Sequence, residues 1–349
     1  MNKIYAEKKI MNFKKIISIV TLFCVVVLTL CSCEKAVPEY TRTSFAFDTY
    51  VTFRIFKTDG TNTPDAVCDS AMSMLTDLEN KLSVKKEDSE ISKINNLAAT
   101  APVKVDEQIY WLIRNSVDLS SLTEGAFDIT LGEISRMWGF YSDKPEKPDM
   151  DKLTSLASKE NYKNIVFDDE NRTISFAKDD FSIDLGAVGK GYAMDMLKSL
   201  FEEAGVVSGL VDFGGSILTI GKYDEGNWTV SVSDGTEKGV AGKIYLSAAL
   251  YSTSNGSNRY VEYDGVKYHH IIDGRTARPS DSDIRSCTVI CDNGLISDAL
   301  STAFFVMGKS KALEFYEKYP IVEFVIIDTD GNVITSDIIA DCFETEKNG

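Results

Sequence analysis

Asp298 and Thr302 stand four positions apart in the run Ile296-Ser297-Asp298-Ala299-Leu300-Ser301-Thr302-Ala303-Phe304, so a helix would carry both on one face. A carboxylate and a hydroxyl side by side offer oxygen, which suits a hard cation. Mg²⁺ takes one or two protein carboxylates and leaves its other positions to water and phosphate oxygens. The pair therefore points to phosphate chemistry. The same residues also fit a plainer use, with Ser297 or Asp298 as a helix N-cap and Ala299, Ala303 and Phe304 packing inward.

A second segment, Phe181-Ser182-Ile183-Asp184-Leu185-Gly186-Ala187-Val188-Gly189-Lys190-Gly191, precedes Ala193, Leu197, Leu200, Phe201 and Ala204 at helical spacing, with Gly205 as a C′ stop. It reads as strand, glycine turn and helix. Glycines let a backbone approach a ligand, a helix N-terminus favours an anion, and Lys190 adds a cation. The spacing matches neither a P-loop nor a dinucleotide fingerprint, and a plain tight connection explains such a segment equally well.

Tyr268-His269-His270-Ile271-Ile272-Asp273 holds both histidines of the chain. Two histidines without thiolate help do not make an ordinary zinc site. In a strand they face opposite sides, so at most one enters a given pocket. His270 is the better candidate for proton transfer, with Asp273 close enough in sequence to orient it; a strand histidine that only hydrogen-bonds is the alternative.

These segments need a scaffold, and the rest of the chain offers one. Phe45 to Phe56 alternates like a strand. Ala66, Met72, Leu75, Leu78 and Leu82 form one helical stripe, and Ile109, Leu112, Ile113 and Leu119 another that ends before Gly125. Strands are expected at 165–167 and 173–176, turned by residues 168–171, and again at 210–213, 228–233, 243–246, 260–263, 287–291 and 322–327. Residues 143–151, with two prolines among charges, read as an exposed loop. Hairpins with interspersed helices indicate an α+β fold of mixed or antiparallel sheets.

The motifs occur in a specific order: Gly125-Ala126-Phe127-Asp128-Ile129-Thr130, Trp138-Gly139-Phe140, Asp184-Leu185-Gly186 with Lys190-Gly191, His270-Ile271-Ile272-Asp273, and Asp298-Ala299-Leu300-Ser301-Thr302. In that order they resemble the ApbE-type flavin transferases, the FAD:protein FMN transferases, from about Phe45 to about Ile339. The resemblance implies Mg²⁺ ligation by the side chains of Asp298 and Thr302 and the carbonyl of Ala187. It implies FAD contacts from Ala126, Phe127, Asp128, Asp184 and Lys190, and places His270 with Asp273 at the reacting phosphate. It further implies transfer of FMN from FAD to a serine or threonine hydroxyl of an acceptor protein, such as a membrane respiratory complex subunit, with release of AMP. A Mg²⁺-dependent FAD pyrophosphatase and a non-catalytic flavin-binding lipoprotein are the alternatives.

Three departures stand out. Phe47-Asp48-Thr49 replaces the family's Met-Gly-Thr. Thr253-Ser254-Asn255-Gly256 displaces the glycine of Thr-Ser-Gly by one, with Asn255 able to take left-handed backbone in its stead. Asp273-Gly274-Arg275-Thr276-Ala277 replaces Asp-Pro-Arg-Thr-Gly, which is expected to loosen that loop.

Lys14 and Lys15 precede an apolar run, Ile16 to Leu30, that ends at Leu30-Cys31-Ser32-Cys33. This reads as a secretory signal over residues 1–32, with Met11 as a candidate start. Leu-x-Ser-Cys resembles a bacterial lipobox, which implies lipid on Cys33, a tether over 33–44, a transferase domain over 45–340 and a tail over 341–349; an ordinary signal peptidase site is the alternative. An exported protein held on a membrane face is the resulting expectation. The net charge is −16; residues 1–32 contribute five lysines against Glu7, leaving about −20 for the remainder. Such acidity disfavours nucleic acid and anionic lipid surfaces. Cys68, Cys287, Cys291 and Cys342 are expected as buried thiols or at most one bridge.

Overall fold

The computed structural model describes residues 40–157, 161–223, 226–257 and 259–346. Signal, lipobox and most of the tether lie outside the described residues.

An antiparallel sheet forms the centre. Its strands run in the order Tyr40–Ala46, Thr49–Thr58, Val206–Phe213, Ser216–Ile220, Leu250–Asn255, Ile284–Cys291, Glu323–Asp328 and Val333–Thr335. Successive side chains of a strand face opposite ways, and in the later strands of this sheet both faces are covered. Leu250, Val289, Phe324 and Ile326 enter a core shared with the helices Pro64–Leu82, Gly189–Glu203 and Gly294–Met307. Tyr251, Ile290, Val325 and Ile327 pack instead beneath a small sheet of Trp228–Ser233, Val240–Leu246 and Phe343–Thr345. Two-sided burial makes Phe324 to Ile327 a continuous apolar run instead of an alternating one. A third cluster, around Trp138, Tyr263, Ile272 and Ala277, joins the helix Gly132–Met137 to the hairpin Tyr260–Tyr263/Val266–His269.

The α+β reading holds, with local differences. The alternating stretch from Phe45 is a hairpin: Phe47 and Asp48 take φ of 53° and 57°, the two left-handed residues that a tight turn between twisted strands requires. The strand Tyr40–Ala46 takes in residues read as tether, and Phe343–Thr345 takes in residues read as tail. The stretch before the glycine turn is not a strand; Ser182 makes one isolated bridge to Leu131. The long helix begins earlier than a cap at Ser297 or Asp298 would allow, with Asn293 as its N-cap, its side chain accepting from Ile296 N–H at 2.9 Å.

Asn255 ends a strand and is not left-handed; Gly256 is small because a Cβ there would lie 2.9 Å from the His269 ring. The loop after His270 is pinned, not loosened. Arg275 grips Asp273 through Nε and Nη2 at 2.8 and 2.9 Å, and Ala277 sits buried at φ 56° where the family's glycine would be relaxed. That conformation costs an alanine about 1 kcal/mol. Cys68, Cys287, Cys291 and Cys342 are free thiols.

Candidate active site

Two glycines set the geometry. A Cβ on Gly191 would stand 2.1 Å from the Gly294 carbonyl oxygen, and one on Gly294 equally close to that of Gly191. The helices Gly189–Glu203 and Gly294–Met307 therefore meet backbone to backbone. Their contact is held by Asp195, whose carboxylate accepts from Gly294 N–H at 2.6 Å and Leu295 N–H at 3.0 Å. This approach places Asp298, one turn further along, where Gly191 N–H donates to its Oδ2 at 2.9 Å and Lys190 Nζ lies 3.8 Å away.

Asp298 is thus a buried mid-helix carboxylate, 5 % exposed, and no cap. Burial pushes its pKa up, against the pull of Lys190 and the Gly191 N–H. An under-compensated carboxylate of this kind is what a cation would relieve. Thr302 shares its face, and its hydroxyl lies 3.2 Å from Ser254 Oγ. Both line a cavity of about 540 Å³ together with Ala187 and Lys190. That volume falls among ordinary ligand pockets. Among the described residues no cluster of three or more His, Cys, Asp or Glu side chains could hold a metal. Carboxylate, hydroxyl and peptide carbonyl are instead the oxygen donors a hard cation accepts.

His270 lines the same cavity. Its Nδ1 sits 3.0 Å from the Arg259 carbonyl, which can only accept, so the ring proton belongs on Nδ1 and Nε2 keeps the lone pair. Burial, with the charges of Arg259 and Lys190, pushes its pKa down to about 3. The ring is therefore neutral at physiological pH. His269 is built the opposite way: Ile271 N–H donates to its Nδ1 at 3.3 Å and its Nε2 donates to the Ser280 carbonyl at 3.0 Å. Both of its nitrogens are committed to backbone.

Ala126, Phe127 and Asp128 reach the cavity from the turn after the helix Glu107–Leu122. Glu124 and Gly125 reverse the chain there at φ 52° and 78°, and Thr123 Oγ1 accepts from Phe127 N–H at 3.2 Å. Thr130 holds Asp128 through its N–H at 2.8 Å and its hydroxyl at 2.6 Å. Asp184 accepts from Gly186 N–H at 2.8 Å and from the Tyr141 hydroxyl; burial pushes its pKa up, with Arg259 opposing.

The sequence matches the ApbE family over residues 47–326. The chain belongs to the ApbE family. Haemophilus influenzae has a protein named FAD:protein FMN transferase that is 30% identical over 320 residues, covering 88% of this chain and 92% of its own. A Treponema pallidum protein of the same name is 29% identical over 327 residues, covering 89% and 90%. The crystal structure of the ApbE protein from Thermotoga maritima superposes with a TM-score of 0.80 at 30% identity, covering 87% of this chain and 98% of its own. The chain is an ApbE-family enzyme.

Within this ApbE chain the cavity collects Ala126, Phe127, Asp128, Asp184, Ala187, Lys190, His270, Asp298 and Thr302. It does not collect Asp273. That carboxylate is absent from the lining and is held by Arg275 in a bidentate pair; the group bonded to His270 Nδ1 is the Arg259 carbonyl. Sequence reading missed Phe47, Tyr141, Asn255 and Arg259, which also line the cavity. Arg259 anchors Nη2 on the Phe140 carbonyl at 2.7 Å and lies 5.4 Å from the Tyr141 ring centroid. Of these, Phe47 and Asn255 carried a signal, standing in stretches where the ApbE pattern has Met-Gly-Thr and Thr-Ser-Gly.

Proposed function

We propose that this enzyme moves FMN from FAD onto a serine or threonine hydroxyl of an acceptor protein and releases AMP, with Mg²⁺ as its metal. The observation that carries the reading is the fixed tautomer of His270, which leaves the Nε2 lone pair to accept a proton, in one cavity with Asp298, Thr302 and Lys190. The acceptor oxygen forms a bond to the FMN-side phosphorus, the bridging P–O bond to AMP breaks, and the hydroxyl proton passes to Nε2. Lys190, at the N-terminus of its helix, faces the negative charge of the pyrophosphate. Asp298, Thr302 and the Ala187 carbonyl would hold Mg²⁺, which when bound neutralises charge on the leaving phosphate. The named relatives support the choice of substrate.

The deciding experiment is incubation with FAD, Mg²⁺ and host membranes that lack this enzyme, following AMP and the mass of flavinylated protein. Transfer gives AMP in step with an FMN-sized mass gain. Fast AMP release with no covalent flavin would instead identify a pyrophosphatase. Lipid attachment at Cys33 and an extracytoplasmic location are part of the proposal. They predict that Cys33→Ala yields protein released from membranes; native protein found in the cytoplasm with residues 11–32 attached would reject them.

A further inference from the structure

Phe45 and Tyr50 are among the most exposed large hydrophobic side chains of the described residues, at 61 % and 69 %. They are not scattered. They face each other across the first hairpin in register, with ring centroids 5.6 Å apart at 81°. Between them lie only Ala46 and the turn Phe47-Asp48-Thr49, and that turn lines the active cavity. The platform is held firmly from beneath. Phe47 packs edge-on against Phe213 at 5.6 Å, and further along the strand Tyr40 and Arg42 are bonded to Asp65 and Asp69 of the helix Pro64–Leu82 at 2.5 and 2.6 Å. Among the described residues this strand is also the open edge of the main sheet.

An exposed aromatic pair on an edge strand invites unwanted association, and a sheet usually blunts such an edge with charge. Here the outward residues nearest the pair, Thr43 and Thr52, are uncharged and bond to each other at 3.0 Å, and the first charge on this face is Arg54, opposite Thr41. Lipid is disfavoured as the occupant, because Arg54, the arginine of this face, is matched by Asp212 of the neighbouring strand and the chain is strongly acidic. Phe47, Asp48 and Thr49 bring this surface up to the cavity into which the acceptor's hydroxyl has to be delivered.

We propose that Phe45 and Tyr50 seat an apolar side chain of the hydroxyl-bearing acceptor protein, adjoining the residue that receives the nucleotide. The proposal rests on the transfer reading above and adds the surface by which the partner is recognised. Rigid aromatic side chains next to a functional opening are frequent binding anchors.

The test uses the purified full chain, FAD, Mg²⁺ and membranes of the native host lacking its own copy, dissolved in dodecyl maltoside, with in-gel flavin fluorescence as readout. Phe45→Ser/Tyr50→Ser is expected to slow labelling roughly tenfold, with FAD binding and the thermal midpoint unchanged, while Phe45→Leu/Tyr50→Phe keeps most of the rate. Equal labelling by parent and double variant overturns the docking surface alone. So does a defect seen in intact membranes that vanishes in detergent, which would mean lipid contact. Loss of FAD binding in parallel would assign the pair to the cavity's shape instead. No labelling by the parent would sink the transfer reading itself.

Discussion

Asp298 and Asp328 are both buried, at 5 % and 1 % exposure, and their surroundings are opposite. Asp328 receives Lys309 Nζ at 2.9 Å and Asn332 Nδ2 at 3.0 Å on one oxygen, and the N–H groups of Asp330 and Asn332 at 3.1 and 2.8 Å on the other. Those partners hold its pKa well below the usual carboxylate range, the Lys309 hydrogen bond contributing most. Asp298 has one N–H and a more distant ammonium, and its pKa is raised. The two histidines repeat the contrast, His269 with both ring nitrogens bonded to backbone and His270 with one. Complete partnering suits a structural group, and incomplete partnering inside a cavity suits the chemical roles proposed for Asp298 and His270.

The sharpest way to break this contrast is Asp298→Asn. Turnover should fall at least about 10²–10³-fold, while the thermal midpoint without metal stays equal or rises, since an under-compensated buried charge is removed. Added Mg²⁺ should raise the midpoint of the parent and not of the variant. A variant that unfolds far below the parent in metal-free buffer would show that Asp298 is structural after all.

The histidines come next. His270→Gln should lower kcat by about 10²–10⁴ with FAD binding retained, as expected for a lost base. His269→Gln should do the reverse, lowering the midpoint through lost backbone partners and the edge contact with Phe305 at 5.5 Å, with turnover affected less. Comparable losses of kcat in both would erase the distinction.

For Asp328→Asn, stability should carry the whole effect, because the charge that pairs Lys309 and organises the turn to Asn332 disappears. Thermal midpoints and kcat measured side by side would show it; a loss of kcat without a loss of midpoint contradicts the structural assignment.

Much of this was legible in the sequence because periodicity and local order report on single elements. Helices with one clean apolar stripe, such as Pro64–Leu82, and the hairpin at Asp168 were readable from spacing. So was the shared face of Asp298 and Thr302. The strands Ser216–Ile220 and Leu250–Asn255, buried among neighbours, carry no alternation and were not. The cap ambiguity at Ser297 and Asp298 could not be resolved locally either, because the contact that buries Asp298 pairs Gly191 with Gly294 across the chain. Asp273 misled for the same reason: nearness in sequence to His270 does not say which way the carboxylate turns, and Arg275, two residues on, claims it. Arg259 acts through its carbonyl as well as its side chain, and a backbone role leaves no trace in residue type.

The smallest expected effect is in the pH dependence of stability, where the two kinds of buried group differ in sign. Asp328, with its pKa below the unfolded value near 3.9, contributes stability that is present above about pH 4 and lost as pH falls further. Asp298, with its pKa raised, is destabilising when charged; lowering the pH through its folded value removes that cost. His270 works against this relief. Between the unfolded histidine value near 6.5 and its own value of about 3, only the unfolded chain takes the proton, so stability falls on acidification by up to roughly 1.4 kcal/mol per pH unit. In metal-free buffer from pH 7 to 4, the midpoint of His270→Gln should therefore decline less steeply than the parent's, and that of Asp298→Asn more steeply. Parallel curves for all three proteins would mean that neither group differs in proton affinity between folded and unfolded chains, and the proposed contrast with Asp328 would fail.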